Sequence, residues 1–162
     1  IKMGKYVGLP QPEDIPLRER EDAMGSYLMM FASVAIGLPL PILNLIAAVI
    51  YFYINKNKSR FIHFHALQSL ISQLPTTLCN MVLTGWTVRN FITQSDWTDV
   101  YFGYLITCGI FNLVYFIYSI VGAVNARKGR FYYFVFFGRI AYHYAYKNKV
   151  AADQSFENKP PQ

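Results

Sequence analysis

Three histidines are the first candidates for chemistry in this chain: His63 and His65 in KSRFIHFHALQ (58–68), and His143 in FYYFVFFGRIAYHYAY (131–146). A His-x-His pair invites metal ligation or general acid–base work. On a helix, however, residues two apart point about 200° away from each other, so His63 and His65 share a metal only if the segment is a strand. The residues that follow favour a helix. No Asp or Glu lies between Phe61 and Val88 to serve as an acid–base partner. Cys79 and Cys108 each fall inside an apolar run, where a thiol behaves as a small hydrophobe. There is no phosphate-cradling glycine loop, no metal-spaced Cys/His set and no nucleophile with a base at workable spacing. The chain reads as non-enzymatic, with no cofactor and no metal.

Long apolar segments must position these residues. Residues 23–55, 61–88 and 100–126 contain no Asp, Glu, Lys or Arg, in runs of 33, 28 and 27 residues. All 24 formal charges therefore fall in the other 74 positions. A soluble helix of such length needs a charged face toward water, whereas crossing a hydrocarbon layer takes about 20 helical residues. The expected fold class is all-α, an integral membrane helical bundle. It comprises an extended polar N-terminal segment (1–22), a transmembrane domain (23–149) and a polar C-terminal tail (150–162). The run at 23–55 follows polar, partly acidic residues and lacks a basic leader, which sets it apart from a secretory signal.

That first run is interrupted. Gly37, Pro39 and Pro41 fall together, with Asn44 just behind. Proline removes a backbone donor and clashes with the preceding turn, so no straight helix passes through 37–44. The expectation is three spans, the first kinked. The alternative is a hairpin of 26–38 and 42–54, which makes four and puts both termini on one side. Thirteen residues, however, cover only about 20 Å at helical rise.

The second run begins after Ser59, a good N-cap. On a helical wheel His65, Ser69, Ser72, Gln73, Thr76, Asn80, Thr84 and Thr87 fall within an arc of about 120°. A polar stripe running the depth of a membrane does not face lipid. It either packs against a neighbouring helix through hydroxyl and amide hydrogen bonds or lines a polar path for a solute. The third run offers a matching face of Cys108, Asn112, Tyr115, Ser119 and Gly122, with Asn112 at a depth to meet the second helix. His65 opens the stripe, and His63 lies on the opposite side.

Charge placement orients the bundle. Lys56, Lys58 and Arg60 precede the second run, and Arg127, Lys128 and Arg130 follow the third. The intervening 89–99 segment carries Arg89, Asp96 and Asp99. Basic loops stay on the cytoplasmic side, or on the stromal or matrix side in an organelle. The expected setting is thus a bacterial inner membrane or an organelle inner membrane. With Phe61 and Phe64, the first cluster marks where the chain enters the bilayer. The stretch 131–149 reads as an interfacial aromatic helix anchored by Arg139, Lys147 and Lys149, with a re-entrant segment as the alternative. Membrane anchoring accounts for the basic and aromatic residues without nucleic acid. The lack of acidic residues inside the runs argues against an ion-coupled transporter.

KSRFIHFHALQSLI (58–71) resembles the S-R-F-V-R-F-[HN]-A-[LM]-Q-[AS] signature of the small Tic-twenty-like family. That family includes the membrane subunit of the chloroplast inner-envelope protein translocon and small bacterial relatives. The interrupted LPLPILNLIAAVIYFYINKNK, the turn VGAVNARKGR and the aromatic FYYFVFFGRIAY extend the resemblance over about residues 35–141. The matching positions are Arg60, Phe61, Phe64, His65, Ala66 and Gln68. The resemblance implies a small cofactor-free helical bundle that works by protein–protein contact. The expected function is a non-enzymatic membrane subunit of a larger complex, in protein translocation or in an accessory or assembly role. Its expected partners are the lipid bilayer and other integral membrane subunits. The alternative is a small-molecule or pigment-binding membrane protein with His63, His65 or His143 as axial ligand.

Overall fold

The computed structural model describes residues 9–37, 40–146, 157–158 and 160–161. Pro39, Lys147, Lys149 and residues 150–156 of the expected tail lie outside the described residues. Among those described, all regular structure is helical and there is no strand. The helices are α1 (Leu17–Leu28), α2 (Ala32–Ile36), α3 (Pro41–Asn55), α4 (Arg60–Thr93), α5 (Asp99–Arg127) and α6 (Phe137–Ala145).

The two long helices form an antiparallel pair. Ser59 caps α4, its Oγ accepting from the Ile62 N–H at 3.2 Å. Thr98 caps α5 in the same way through the Tyr101 N–H. Between them, Gln94 ends α4 in the left-handed conformation at φ 49°, so five residues, 94–98, suffice to reverse the chain. Burial along α4 is strongly graded. Its buried residues run from Phe61 to Thr77, and beyond that only Asn90 is buried. α5 is the one described helix long and apolar enough to cross a membrane.

The first apolar run is a hairpin and not a single kinked span. Gly37 ends α2 at φ 79°, a conformation open to glycine at little cost. Pro41 then begins α3 at its first turn, where its missing N–H costs nothing. The returning helix is tied to the outgoing one in antiparallel order. Asn44 Oδ1 accepts from the Ser33 N–H at 2.7 Å near the tip. Tyr51 OH donates to the Asp22 carbonyl at 2.7 Å further back. At about 22 Å, α3 falls short of the roughly 30 Å of a hydrocarbon core.

Residues 1–22 are expected to be extended, with LRERED (17–22) able to begin a short surface helix; α1 does start at Leu17, but it packs against both α4 and α5. Arg20 gathers the preceding residues by donating to the carbonyls of Ile15 (2.8 Å) and Pro12. Leu9 and Ile15 are thereby buried. The small face of α5 also has a different partner from the one expected. Gly122, Ala123 and Ala126 receive α1, and a Cβ on Gly122 would lie 2.9 Å from the Tyr27 ring. The expected exposed tail is likewise anchored at Asn158. Its side chain donates to the carbonyls of Pro10 (2.7 Å) and Gly129 (2.9 Å) and accepts from the Phe131 N–H.

The aromatic segment after α5 is not one interfacial helix. Residues 131–134 run without helical structure, the chain turns at Phe136, and α6 returns alongside them. Ring pairs fix the two arms: Phe131 with Tyr146 at 5.8 Å and Tyr133 with Tyr142 at 6.1 Å. The segment folds back on itself, the geometry that the re-entrant alternative requires. Gly138 makes the close return feasible, since a Cβ there would lie 2.7 Å from Tyr133 Cα and 2.9 Å from Gln68 Oε1. Gly138→Val is expected to overpack this contact and cost about 1–3 kcal/mol. The check is the thermal unfolding midpoint of the detergent-solubilised protein, and an unchanged midpoint would remove the re-entrant packing from the fold.

Candidate functional site

The motif residues converge on a buried hydrogen-bonded knot at the basic end of the bundle. His65, Gln68 and Ser69 occupy one face of α4, and α1 brings Tyr27 and Ser26 against them. Gln68 Nε2 donates to Tyr27 OH and to the Tyr132 carbonyl, both at 2.8 Å. Gln68 Oε1 accepts from the Phe134 N–H at 3.1 Å. The Tyr27 hydroxyl, which receives from Gln68, also pairs with His65 Nδ1 at 2.9 Å. The other ring nitrogen, Nε2, is buried without a hydrogen-bond partner among the described residues. Ser69 Oγ completes the set by donating to the Ser26 carbonyl at 2.8 Å.

Aromatic rings wall this knot off from solvent. Phe61 lies 4.5 Å and Phe64 4.9 Å from the His65 ring, both edge-on. Phe131 and Tyr27 close the remaining sides. Phe61, Phe64 and Ala66 are thus core residues and not the lipid-facing anchors expected where the chain enters the bilayer. Closure of α1 and the 131–146 segment over the start of α4 is the physical reason. His63 sets its ring 5.4 Å from Phe52 of α3, tilted by 60°, on the other side of α4 from His65. His143 is exposed on α6. The three histidines are therefore not brought together.

Further along α4 the stripe meets α5. Asn80 and Asn112 exchange reciprocal amide hydrogen bonds at 2.8 Å each. Thr87 Oγ and Tyr101 OH pair at 2.8 Å. Tyr104 OH donates to the Cys79 carbonyl at 3.1 Å. Ser72, Thr76 and Thr84 return their hydroxyl protons to carbonyls of their own helix. Ser119 is buried on α5 beside Tyr115. The stripe is interrupted at one level, by a cavity of about 470 Å3 lined by Gln73, Thr76, Thr77, Asn80, Asn112 and the α2–α3 tip. Gln73 Oε1, buried there, has no hydrogen-bond partner among the described residues.

The basic residues expected to anchor the chain to lipid are divided. Lys58 pairs with Asp22 at 2.9 Å, Arg127 with Glu21 and Arg130 with Glu157. Lys56 lies over the Tyr53 ring, 4.3 Å from its centroid. Arg60, Lys128 and Arg139 are exposed with no ion pair among the described residues. Reasoning from sequence missed Tyr27 and the acidic face of α1. A signal was present: Ala23, Ser26 and Tyr27 share one helical face, and Glu21 and Asp22 offer charges opposite to both basic clusters. Burial pushes the phenols of Tyr133 and Tyr146 well above their ordinary range, so both remain neutral.

These features define a small all-helical protein of membrane-protein design, with its polar side chains turned inward and one helix fit to cross a bilayer. The chain belongs to the MamF/MmsF family, the magnetosome magnetite crystal formation protein family, whose model matches residues 20–141. No curated protein and no solved structure matched the chain. The family is one of membrane proteins involved in forming magnetite in magnetosomes. This overturns the resemblance to the Tic-twenty-like family. The shared residues Phe61, Phe64, His65, Ala66 and Gln68 are packing residues, and a packing motif marks a way of closing a small bundle more than it marks a lineage.

Tyr27→Phe deletes the hydroxyl shared by His65 and Gln68 and is expected to cost about 1–3 kcal/mol, the penalty of buried polar groups left unmet. Asn80→Leu, further along α4, is expected to cost only about 0.6 kcal/mol. Denaturation of both variants in the same detergent tests the order. A larger loss at Asn80 would mean that stability resides between α4 and α5 and not in the knot.

Proposed function

We infer that this chain is a non-enzymatic integral component of the magnetosome membrane, acting in magnetite formation by holding other membrane proteins in place. In this reading α4 and α5 cross the bilayer as a hairpin. The α1–α3 unit and the 131–146 segment form a cap at the basic face. The observation that carries it is the exposure of α5: its most apolar window is only 17% buried. The core helix of a water-soluble domain would be mostly buried, so the exposed apolar face of α5 is suited to lipid. α4, at 34 residues, is about 51 Å long against about 30 Å of hydrocarbon. Its surplus matches the buried stretch that the cap encloses.

The non-enzymatic reading is supported by the way the candidate reactive groups are used. His65, Gln68 and Tyr27 hold one another, and Asn80 holds Asn112. Protein translocation has no support and is not part of the proposal. By the rule that basic loops remain in the cytoplasm, the cap faces the cytoplasm and residues 94–98 face the magnetosome interior.

Two measurements test this. Single cysteines replacing Glu13 and Asp96, in a chain with Cys79 and Cys108 changed to Ala, are expected to react with an impermeant maleimide from opposite faces of sealed vesicles. Labelling from the same face would remove the transmembrane hairpin. Extraction of native membranes in mild detergent, followed by native electrophoresis and mass spectrometry, is expected to find the chain with other membrane proteins. A lone small oligomer would overturn the assembly role.

A further inference from the structure

Two cavities meet at the tip of the re-entrant segment. The first, of about 390 Å3, is lined by Tyr133, Phe134, Val135, Phe136, Arg139 and Pro161. The second, of about 260 Å3, runs between α4 and α5 past Pro75, Phe111, Tyr115 and Tyr118. They share Phe134 and Val135 as a common wall. Among the described residues, neither cavity is lined by a carboxylate. Arg139 is exposed at the first and has no ion pair among the described residues. One compartment thus presents an uncompensated guanidinium, and the adjoining one is almost wholly apolar.

The backbone between them is strained in a way that packing alone does not require. Phe136 sits at φ 65°, ψ −52°, and the Phe137 N–H donates to the Val135 carbonyl at 2.9 Å. This is a γ-turn of the rare hand, which for a bulky aromatic is a genuine outlier. Its effect is to turn two apolar side chains away from the protein: Val135 is 60% and Phe136 78% exposed. They project beside Arg139, one helical turn from the tip. A cation next to projecting apolar groups matches the boundary between headgroups and acyl chains.

We propose that these paired cavities bind one anionic phospholipid, with its phosphate on Arg139 and an acyl chain in the apolar cavity between α4 and α5. The site rests on the membrane placement argued above. It makes lipid charge at the capped face a condition for seating the re-entrant segment, separate from any general attraction of a basic protein to anionic membrane.

The full chain, reconstituted in vesicles of equimolar phosphatidylcholine and phosphatidylglycerol, is first floated on a density gradient and then released for native mass spectrometry. Wild type is expected to retain phosphatidylglycerol over phosphatidylcholine by about fivefold, the preference a single arginine near an anionic surface supplies. Arg139→Gln is expected to lose that preference, Arg139→Lys to keep most of it, and the exposed Arg18→Gln to leave it unchanged. Equal retention of the two lipids by wild type overturns the proposal, as does an unaltered preference in Arg139→Gln. Failure of the wild-type chain to float with the vesicles removes the membrane reading itself, and the lipid site with it.

Discussion

The fold depends on how the amide of Gln68 is satisfied. Three of its hydrogen-bonding positions are used: two donors reach Tyr27 and the Tyr132 carbonyl, and the oxygen takes the Phe134 N–H. Through this one side chain α4 is tied to α1 and to the non-helical strip that leads into the re-entrant turn. That strip is the part of the chain least able to stand alone. Backbone outside a helix has no internal partners, and away from water each unmet group costs kilocalories. Gln68 supplies what the strip lacks, and Tyr27 keeps Gln68 in position while engaging His65. A substitution at any of the three leaves a buried polar group unmet in another segment, so the cap is cooperative by construction.

The same constraint explains why the two ends of the molecule differ. At the basic end, α1, α3, α6 and the 131–134 strip surround α4, and Gln68, Tyr27, Ser69 and Asn158 find partners across them. Further along, α4 has only α5 beside it, and its polar contacts reduce to the Asn80–Asn112 pair, Thr87 with Tyr101 and the Cys79 carbonyl. Most of the remaining surface on those stretches is apolar, including Leu78, Val82, Ile106, Ile110 and Leu113. Charge follows the same division. The acidic residues of α1 neutralise Lys58 and Arg127, so the face richest in basic residues is held together by ion pairs as well as oriented by them.

Much of this was legible in the sequence wherever a period or a breaker carried the signal. The 3.6-residue recurrence from His65 to Thr87 identified the inward face of α4, and Asn112 lay at the depth where it meets Asn80. Gly37 and Pro41 located the break in the first run. Whether that break kinked a span or reversed the chain was not legible, because the Ser33–Asn44 and Asp22–Tyr51 contacts that decide it join residues far apart in the chain. The packing of α1 was obscured for another reason. Its sequence LREREDAMGSYL is polar overall, and only the narrow Ala23, Ser26, Tyr27 face buries. The re-entrant segment depended on a donor and an acceptor from Gln68, more than sixty residues away. The family was misjudged because the motif that suggested it is a packing device. Residues chosen for fit around a buried histidine carry little information about what the finished bundle does.

The geometry also constrains where a partner can be recognised. At the far end α4 and α5 are joined by residues 94–98 alone, held at each side by a cap, with Trp97 packed on Phe91 and Tyr101. Such a turn offers two carboxylates, Asp96 and Asp99, and little area. Specific association between proteins needs a patch of several hundred Å2 on each partner, more than so short a turn presents. The capped end offers α1, α6 and the strip around Asn158, where exposed Arg60, Lys128 and His143 stand among aromatic residues. Under the assembly role proposed above, contacts with other proteins would fall on the capped face or along the exposed apolar side of α5. The knot at Gln68 would influence both, since it sets the position of α1 against α5 and of α6 against α4.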